Sequence, residues 1–226
     1  MNRFVSSLLK KMTLEEKIGQ LSQCAGGFAT GPDNTQLSRT TDISRGLLGS
    51  MLNVSGAAET RKYQEAAMKS RLKKCLLFGL DVIHGFRTGF PLCSAREAAA
   101  AGLHWTFAPM VDISWDARWG RVMEGAGEDP YYGAKVAAAR VRGLQGDDLS
   151  ADSTILACIK HFVGYGAAVA GKDYNSVDMS WGHFANFYMP PYKAGVEAGA
   201  GTVMSAFNDF ENRPCTGNED LLRGLL

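Results

Sequence analysis

Apolar residues recur along this chain in short continuous runs, separated by stretches with helical spacing. The runs fall near 47–53, 76–83, 104–111, 155–162 and 201–207, and helix-period segments lie near 57–72, 94–101, 131–144 and 183–198, with a further helix start near 219–226. Continuous rather than alternating runs are expected where crossover helices cover both faces of a sheet. The pattern therefore predicts a parallel α/β protein. Ahead of it, Val5, Leu8, Leu9 and Met12 share a helical face, and Thr13-Leu14-Glu15-Glu16 reads as a capping box opening a second helix with Leu14, Ile18 and Leu21. Residues 24–45, rich in Gly, Thr, Ser, Asp and Asn without apolar period, read as a loop able to border a binding site.

About five parallel strands with crossover helices are legible. A closed (β/α) barrel needs about eight strands and roughly 250 residues, so the pattern fits an open doubly wound sheet or a partial barrel. The barrel is favoured because ionisable residues stand at the C-terminal ends of several consecutive strands rather than at one switch point. On this reading residues 1–226 form one partial barrel domain. In a sequential order its edge strands, 47–53 and 201–207, invite self-association.

At 226 residues, 46% hydrophobic and 21% charged, the chain can bury a core as one domain. A net charge of +1, without Lys/Arg clusters interleaved with aromatics, argues against nucleic-acid binding. Cysteines 24, 75, 93, 158 and 215 share no C-x-x-C spacing, and Cys75 and Cys158 adjoin apolar runs, so buried thiols are expected rather than disulfides or zinc ligands. No apolar stretch approaches the ~20 residues of a membrane span. The start as written lacks a signal-peptide pattern, which predicts a cytoplasmic protein, or a periplasmic or secreted one if its true start lies upstream.

The chemistry gathers where apolar runs stop. Asp81 and His84 close the run 76–83; a carboxylate there suits substrate hydroxyls, although loop capping explains it equally well. Arg118 and Arg121 flank Trp119-Gly120. A guanidinium fork holds a carboxylate or polyol in fixed geometry, yet two such cations at one neutral ligand need extra counter-charge, so one of them is expected to be structural. Glu124 and Glu128 are the expected partners of these arginines, and Asp129-Pro130 has the form of a helix N-cap with Pro at N1. Lys160-His161 is the sharpest pair, because an ammonium leaving a buried strand must be paired or functional. Gly166 to Lys172 nearly matches a phosphate loop, but Asp173 stands where a Ser or Thr should reach magnesium. A nucleotide site is thereby rejected, and no cofactor or metal is expected. Trp115 and Trp119 lie in the candidate site loop, where aromatic faces suit sugar C–H surfaces.

The segments M-T-L-E-E-K-I-G-Q-L, L-D-V-I-H-G, F-A-P-M-V-D, D-A-R-W-G-R, E-G-A-G-E-D-P, I-K-H-F-V-G-Y-G and M-P-P-Y-K-A-G-V-E-A-G, in this order, together resemble glycoside hydrolase family 3, especially its bacterial periplasmic β-glucosidases. The resemblance implies a TIM-like barrel and a retaining, exo-acting enzyme that removes β-linked glucose or a similar sugar from non-reducing ends. It implies that Asp81, one of Arg118 and Arg121, Lys160 and His161 line the subsite gripping the terminal ring. It also implies that the nucleophilic aspartate follows the helix reaching Leu226 and that the acid/base belongs to a further domain, so that this chain lacks both and is inactive alone. Asp209 is expected to be a turn residue rather than a substitute nucleophile. Relatives have a longer loop and helix where this chain runs from Pro91 to Gly102, and Asp116-Ala117 stands in place of Asp-Pro. Two rival readings are a non-catalytic sugar-binding protein and an aldolase-like use of Lys160 as a Schiff-base amine.

Overall fold

The computed structural model describes residues 3–26 and 39–226. Residues 27–38 of the expected loop lie outside them. The chain divides into two compact units, Met1–Leu80 with Ala98–Trp105, and Asp81–Glu97 with Thr106–Leu226. Its class is α/β with parallel strands.

In the first unit, α1 (Arg3–Lys11), α2 (Leu14–Gln20), β1 (Gln23–Ala25), α3 (Arg39–Arg45), β2 (Ser50–Leu52), α4 (Ala57–Ala67) and β3 (Leu77–Leu80) follow one another. The strand order is β1-β2-β3-β4, where β4 begins at Trp105, and the β1–β2 and β2–β3 pairs are parallel. The capping box forms as expected: Thr13 Oγ1 accepts from Glu16 N–H while Glu16 Oε2 accepts from Thr13 N–H at 2.9 Å. Glu16 also takes a two-point ion pair from Arg71, with Nη2–Oε2 at 2.6 Å and Nε–Oε1 at 3.2 Å.

Two expectations are corrected in this unit, and a third is qualified. The stretch 24–45 is not all loop, for β1 and α3 occupy its two ends. The strand at 47–53 is not an edge, because β1 pairs on its far side. The apolar residues of α1 and α2 do fall at helical spacing, but Phe4, Val5, Leu9, Leu14, Ile18 and Leu21 are exposed and only Met12 between the helices is buried apolar surface. Spacing reports which residues share a face, and nothing about what lies opposite.

In the second unit, α5 (Pro91–Ala100) opens three residues earlier than its sequence pattern suggests, with Pro91 in the first turn where a missing N–H costs nothing. After β4 (Trp105–Thr106) the expected strand 104–111 continues as irregular extended chain: Pro109 cannot donate, yet Cys158 N–H donates to Ala108 O at 2.9 Å, Lys160 N–H to Pro109 O at 3.2 Å and Val111 N–H to Lys160 O at 2.9 Å. The partner is β5 (Cys158–Phe162), buried at all five positions, which pairs in parallel with β6 (Thr202–Ser205) on its other side. Strand β6 is only half-buried along its length, so it is not covered on both faces as its apolar run suggests.

Helix α6 (Pro130–Gln145) starts on the expected cap, Asp129 Oδ1 accepting from Tyr132 N–H at 2.7 Å. A later helix begins as α7 (Trp181–His183), passes through a π-helical turn at Phe184–Tyr188 and ends as α8 (Met189–Glu197). It approaches its neighbours at glycines: a Cβ on Gly195 would lie 2.9 Å from Ile159 Cγ2, and one on Gly133 of α6 would lie 3.2 Å from Pro191 Cγ. A two-residue hairpin joins β7 (Asp209–Phe210) to β8 (Arg213–Pro214), with Glu211 and Asn212 both at positive φ as a type I′ turn requires. Asp209 therefore belongs to a short hairpin strand rather than to a simple loop.

Gln145 ties this unit together. Its Nε2 donates to Gly199 O at 2.8 Å, and its Oε1 accepts from Ala157 N–H and Gly201 N–H, each at 3.0 Å, so one buried amide ends α6 and registers the approaches to β5 and β6. Gln145→Ala should cost about 1–3 kcal/mol, because it strands the buried Ala157 N–H, while Gly199 and Gly201 are exposed enough for water to replace the amide. Denaturant unfolding with an unchanged m-value checks this; a loss below about 1 kcal/mol would show that water replaces the amide.

Candidate functional site

Strand β5 delivers the two most distinctive side chains. Its pairing with β6 shifts register between Lys160 and Phe162, so His161 sits on a bulge, a device that re-aims side chains. Lys160 is 2% exposed and its Nζ lies 2.6 Å from Asp81 Oδ2, whose side chain is 45% exposed. The buried ammonium thus meets an acceptor that stands at the surface. His161, equally buried, packs edge-on against Tyr165 at 5.1 Å between centroids and tilted against Phe207 at 5.9 Å.

The two arginines separate cleanly. Arg121 is ion-paired with Glu124 (Nη2–Oε2 2.7 Å, Nε–Oε1 2.8 Å), and its guanidinium lies 5.6 Å from the Tyr165 ring centroid, which brings it into the group around His161. Burial opposes its charge, but the hydrogen bonds and charge of Glu124 outweigh that and raise its pKa. Burial likewise pushes the Glu124 carboxyl up, while Arg121, with Lys160 and His161 nearby, holds it below the usual range. Arg118 turns away to Asp116, Nη2–Oδ2 2.7 Å, with 73% of its side chain exposed. Its partner is therefore Asp116 rather than the expected Glu128, whose carbonyl instead accepts from Trp115 Nε1 at 3.0 Å. The pair with Arg118 holds the Asp116 carboxyl down to about 2.

In the second unit a cluster is thus linked by the Lys160–Asp81 pair and by Tyr165, which touches both His161 and Arg121, and Arg118 and the exposed His84 are not part of it. Trp119 is fully buried beneath it, its ring edge-on to Tyr165 at 5.2 Å and its Nε1 donating to Asp173 Oδ1 at 3.1 Å. The Tyr165 hydroxyl donates to the same carboxylate oxygen, and burial together with that bond pushes the phenol up. Trp119 is therefore a support rather than a stacking face. Trp115 packs against His183, Phe187 and Tyr188. The segment from Gly166 to Lys172 forms two 3-10 turns with no helix after them, consistent with the rejected phosphate loop.

Sequence reasoning gives no role to Asp112 or Tyr192. Asp112 Oδ2 accepts from His161 N–H at 3.0 Å and lies 2.9 Å from His161 Nδ1, while the Tyr192 hydroxyl lies 2.5 Å from Asp112 Oδ1 and 2.7 Å from His161 O. The acid at the end of F-A-P-M-V-D is a usable signal; a tyrosine on a helix is none. All five cysteines are free: Cys24, Cys158 and Cys215 are buried as expected, but Cys75 and Cys93 are exposed. Among the described residues no three His, Cys, Asp or Glu side chains are placed to hold a metal ion, and no helix is long and apolar enough to cross a membrane.

Residues 88–226 match the profile of the glycosyl hydrolase family 3 N terminal domain. The chain belongs to glycosyl hydrolase family 3. It is 42% identical to a periplasmic beta-glucosidase of Salmonella typhimurium over 99% of this chain and 31% of that protein, and 33% identical to a beta-xylosidase of Formosa agariphila over 98% and 29%. The crystal structure of a beta-glucosidase from Listeria innocua in complex with glucose superposes with a TM-score of 0.87 at 38% identity, covering 100% of this chain and 36% of that one. The chain spans about a third of the length of these family 3 proteins.

The geometry divides the arginines by expected effect. Arg118→Ala should leave stability essentially unchanged, as for most exposed pairs. Arg121→Ala should cost about 2 kcal/mol at neutral pH, because it leaves Glu124 half-buried and unpaired. The depressed Glu124 carboxyl stabilises the native chain above its ordinary range and loses that contribution as pH falls through its lower folded value. The Arg121→Ala deficit should therefore shrink in acid, where the carboxyl is protonated. Unfolding curves at several pH values check this; equal deficits for both variants would remove the distinction.

Proposed function

We propose that Asp81, Arg121, Lys160 and His161 grip the terminal non-reducing β-D-glucosyl ring of a glycoside, and that the chain is part of a retaining, exo-acting β-glucosidase. The pairing of Lys160 with Asp81 carries this reading. A sugar hydroxyl both donates and accepts, so adjacent hydroxyls match an ammonium beside a carboxylate, and a nearby guanidinium adds directed donors. Likeness to beta-glucosidases, one of them in complex with glucose, supports the choice of sugar, while the beta-xylosidase relative makes xylose the natural competitor.

Hydrolysis with retention needs two carboxyl groups about 5–5.5 Å apart, one attacking and one passing a proton. In this cluster Asp81 is paired with Lys160, Glu124 with Arg121, and Asp112 is engaged by His161 and Tyr192. We therefore assign the 226 residues ring binding without turnover. The domain they form is proposed to be part of a TIM-like barrel, with the half-buried β6 as an edge open to self-association. The compartment in the name of the Salmonella relative is extended to this chain on the same footing.

Calorimetric titration with glucose and xylose, beside an aryl β-glucoside assay, tests the reading. Saturable glucose binding without hydrolysis is the expected result. Clear turnover by the 226-residue chain would overturn the assignment of binding alone, and failure to bind either sugar would overturn the sugar site itself.

A further inference from the structure

Asp112, His161 and Tyr192 are each no more than 2% exposed and form a closed hydrogen-bonded group behind the candidate site. One carboxylate oxygen of Asp112 faces two nitrogens of the same residue, the His161 main-chain N–H at 3.0 Å and the ring Nδ1 at 2.9 Å, while the other oxygen meets the Tyr192 hydroxyl at 2.5 Å. That hydroxyl is also 2.7 Å from His161 O, so backbone and ring of one residue are held from both sides. An ionised carboxylate only accepts, and a neutral imidazole carries one N–H. A lone pair on Nδ1 would face lone pairs on Asp112. In the neutral ring the proton must therefore sit on Nδ1, which leaves Nε2 as an acceptor.

We propose that Asp112 is a positioning residue for His161: it fixes the Nδ1–H form of the ring, so that His161 meets the ligand through Nε2 as a hydrogen-bond acceptor. This deepens the sugar-binding reading and rests on it for the identity of the ligand. It gives the site a direction. Lys160 can only donate to a ring hydroxyl, whereas His161 requires a hydroxyl that donates to it. A ligand whose corresponding group is a methoxy oxygen cannot satisfy His161, although it can still accept from Lys160.

The test is long-range proton–nitrogen NMR on the histidine-labelled 226-residue chain at alkaline pH, where imidazoles are neutral. Loss of one of the four ring systems in His161→Gln assigns the signal. The wild-type ring should show a protonated Nδ1, Tyr192→Phe should keep it because the Nδ1 bond is to the other carboxylate oxygen, and glucose should perturb Nε2. Asp112→Asn should mix the two ring forms and weaken glucose binding about tenfold, the worth of one mismatched hydrogen bond. A wild-type ring protonated on Nε2 overturns the proposal, and this readout stands even if Asp112→Asn fails to fold. So does an Asp112→Asn chain that keeps the Nδ1–H form and full affinity. Glucose that binds without disturbing Nε2 overturns the acceptor role. Glucose that fails to bind while Nδ1 is protonated overturns the sugar reading and the acceptor role with it, but supports the hold of Asp112 on the ring.

Discussion

Lys160→Met should leave the fold as stable as the wild type, or slightly more so, and weaken glucose binding at least about hundredfold. The ammonium is 2% exposed, so the native state has already given up most of its hydration. Its one ion-pair partner is a carboxylate that is itself close to half in water, and Glu124, already paired with Arg121, adds only a longer-range charge. Exchanging such an ion for a thioether chain of similar length removes the desolvation cost and keeps the packing, which is why apolar replacements of buried ions are often neutral or favourable. Binding has no such compensation: the ligand loses a charged donor, and Asp81 is left facing its hydroxyls without a cation. The reciprocal change separates the two effects. Asp81→Ala should cost about 2–4 kcal/mol, reduced from the usual figure for a broken buried pair because Asp81 is solvated, since the ammonium then stays buried alone. Denaturant unfolding and calorimetry on both variants decide the matter. If Lys160→Met binds glucose like the wild type, Lys160 is a strut and the site must be sought elsewhere.

The legibility of this chain follows from which interactions are local. The Thr13 capping box and the Asp129 cap are readable because each closes within three residues. Parallel class is readable because the run from Ile155 to Ile159 is apolar at alternate and intervening positions alike, before Lys160 and His161 interrupt it within β5. Strand β1 is not, since three residues flanked by polar loop composition carry no period, and it becomes a strand only because β2 offers a parallel partner. The strand ends identify Asp81, Lys160 and His161 as candidates, but choosing between Arg118 and Arg121 needs coordinates. Both have acidic neighbours in sequence; only burial beside Tyr165 distinguishes Arg121. The Asp112–Tyr192 contact spans 80 residues and has no signature in spacing.

Trp119→Ala should be among the most destabilising single changes in the second unit, costing about 3–5 kcal/mol. The indole is 1% exposed, so its removal forfeits the transfer energy of the largest side chain in the chain and leaves a void that the 3-10 turns beside it must fill. One hydrogen bond and one aromatic contact are lost as well. Asp173 keeps only the Tyr165 hydroxyl, and the Tyr165 ring loses the edge-on wall that holds it against His161 and Arg121. Trp119→Phe refills much of the volume and restores a ring edge, but not the N–H; it should cost about 1–2 kcal/mol. The same order should appear in glucose affinity, because Tyr165 is the element through which Trp119 reaches the cluster. Unfolding midpoints at constant m-value give the first comparison and calorimetry the second. An alanine variant with a wild-type midpoint would mean that the indole is not the support described. A destabilised variant with unchanged affinity would detach the aromatic floor from ligand binding and leave the charged residues to act without it.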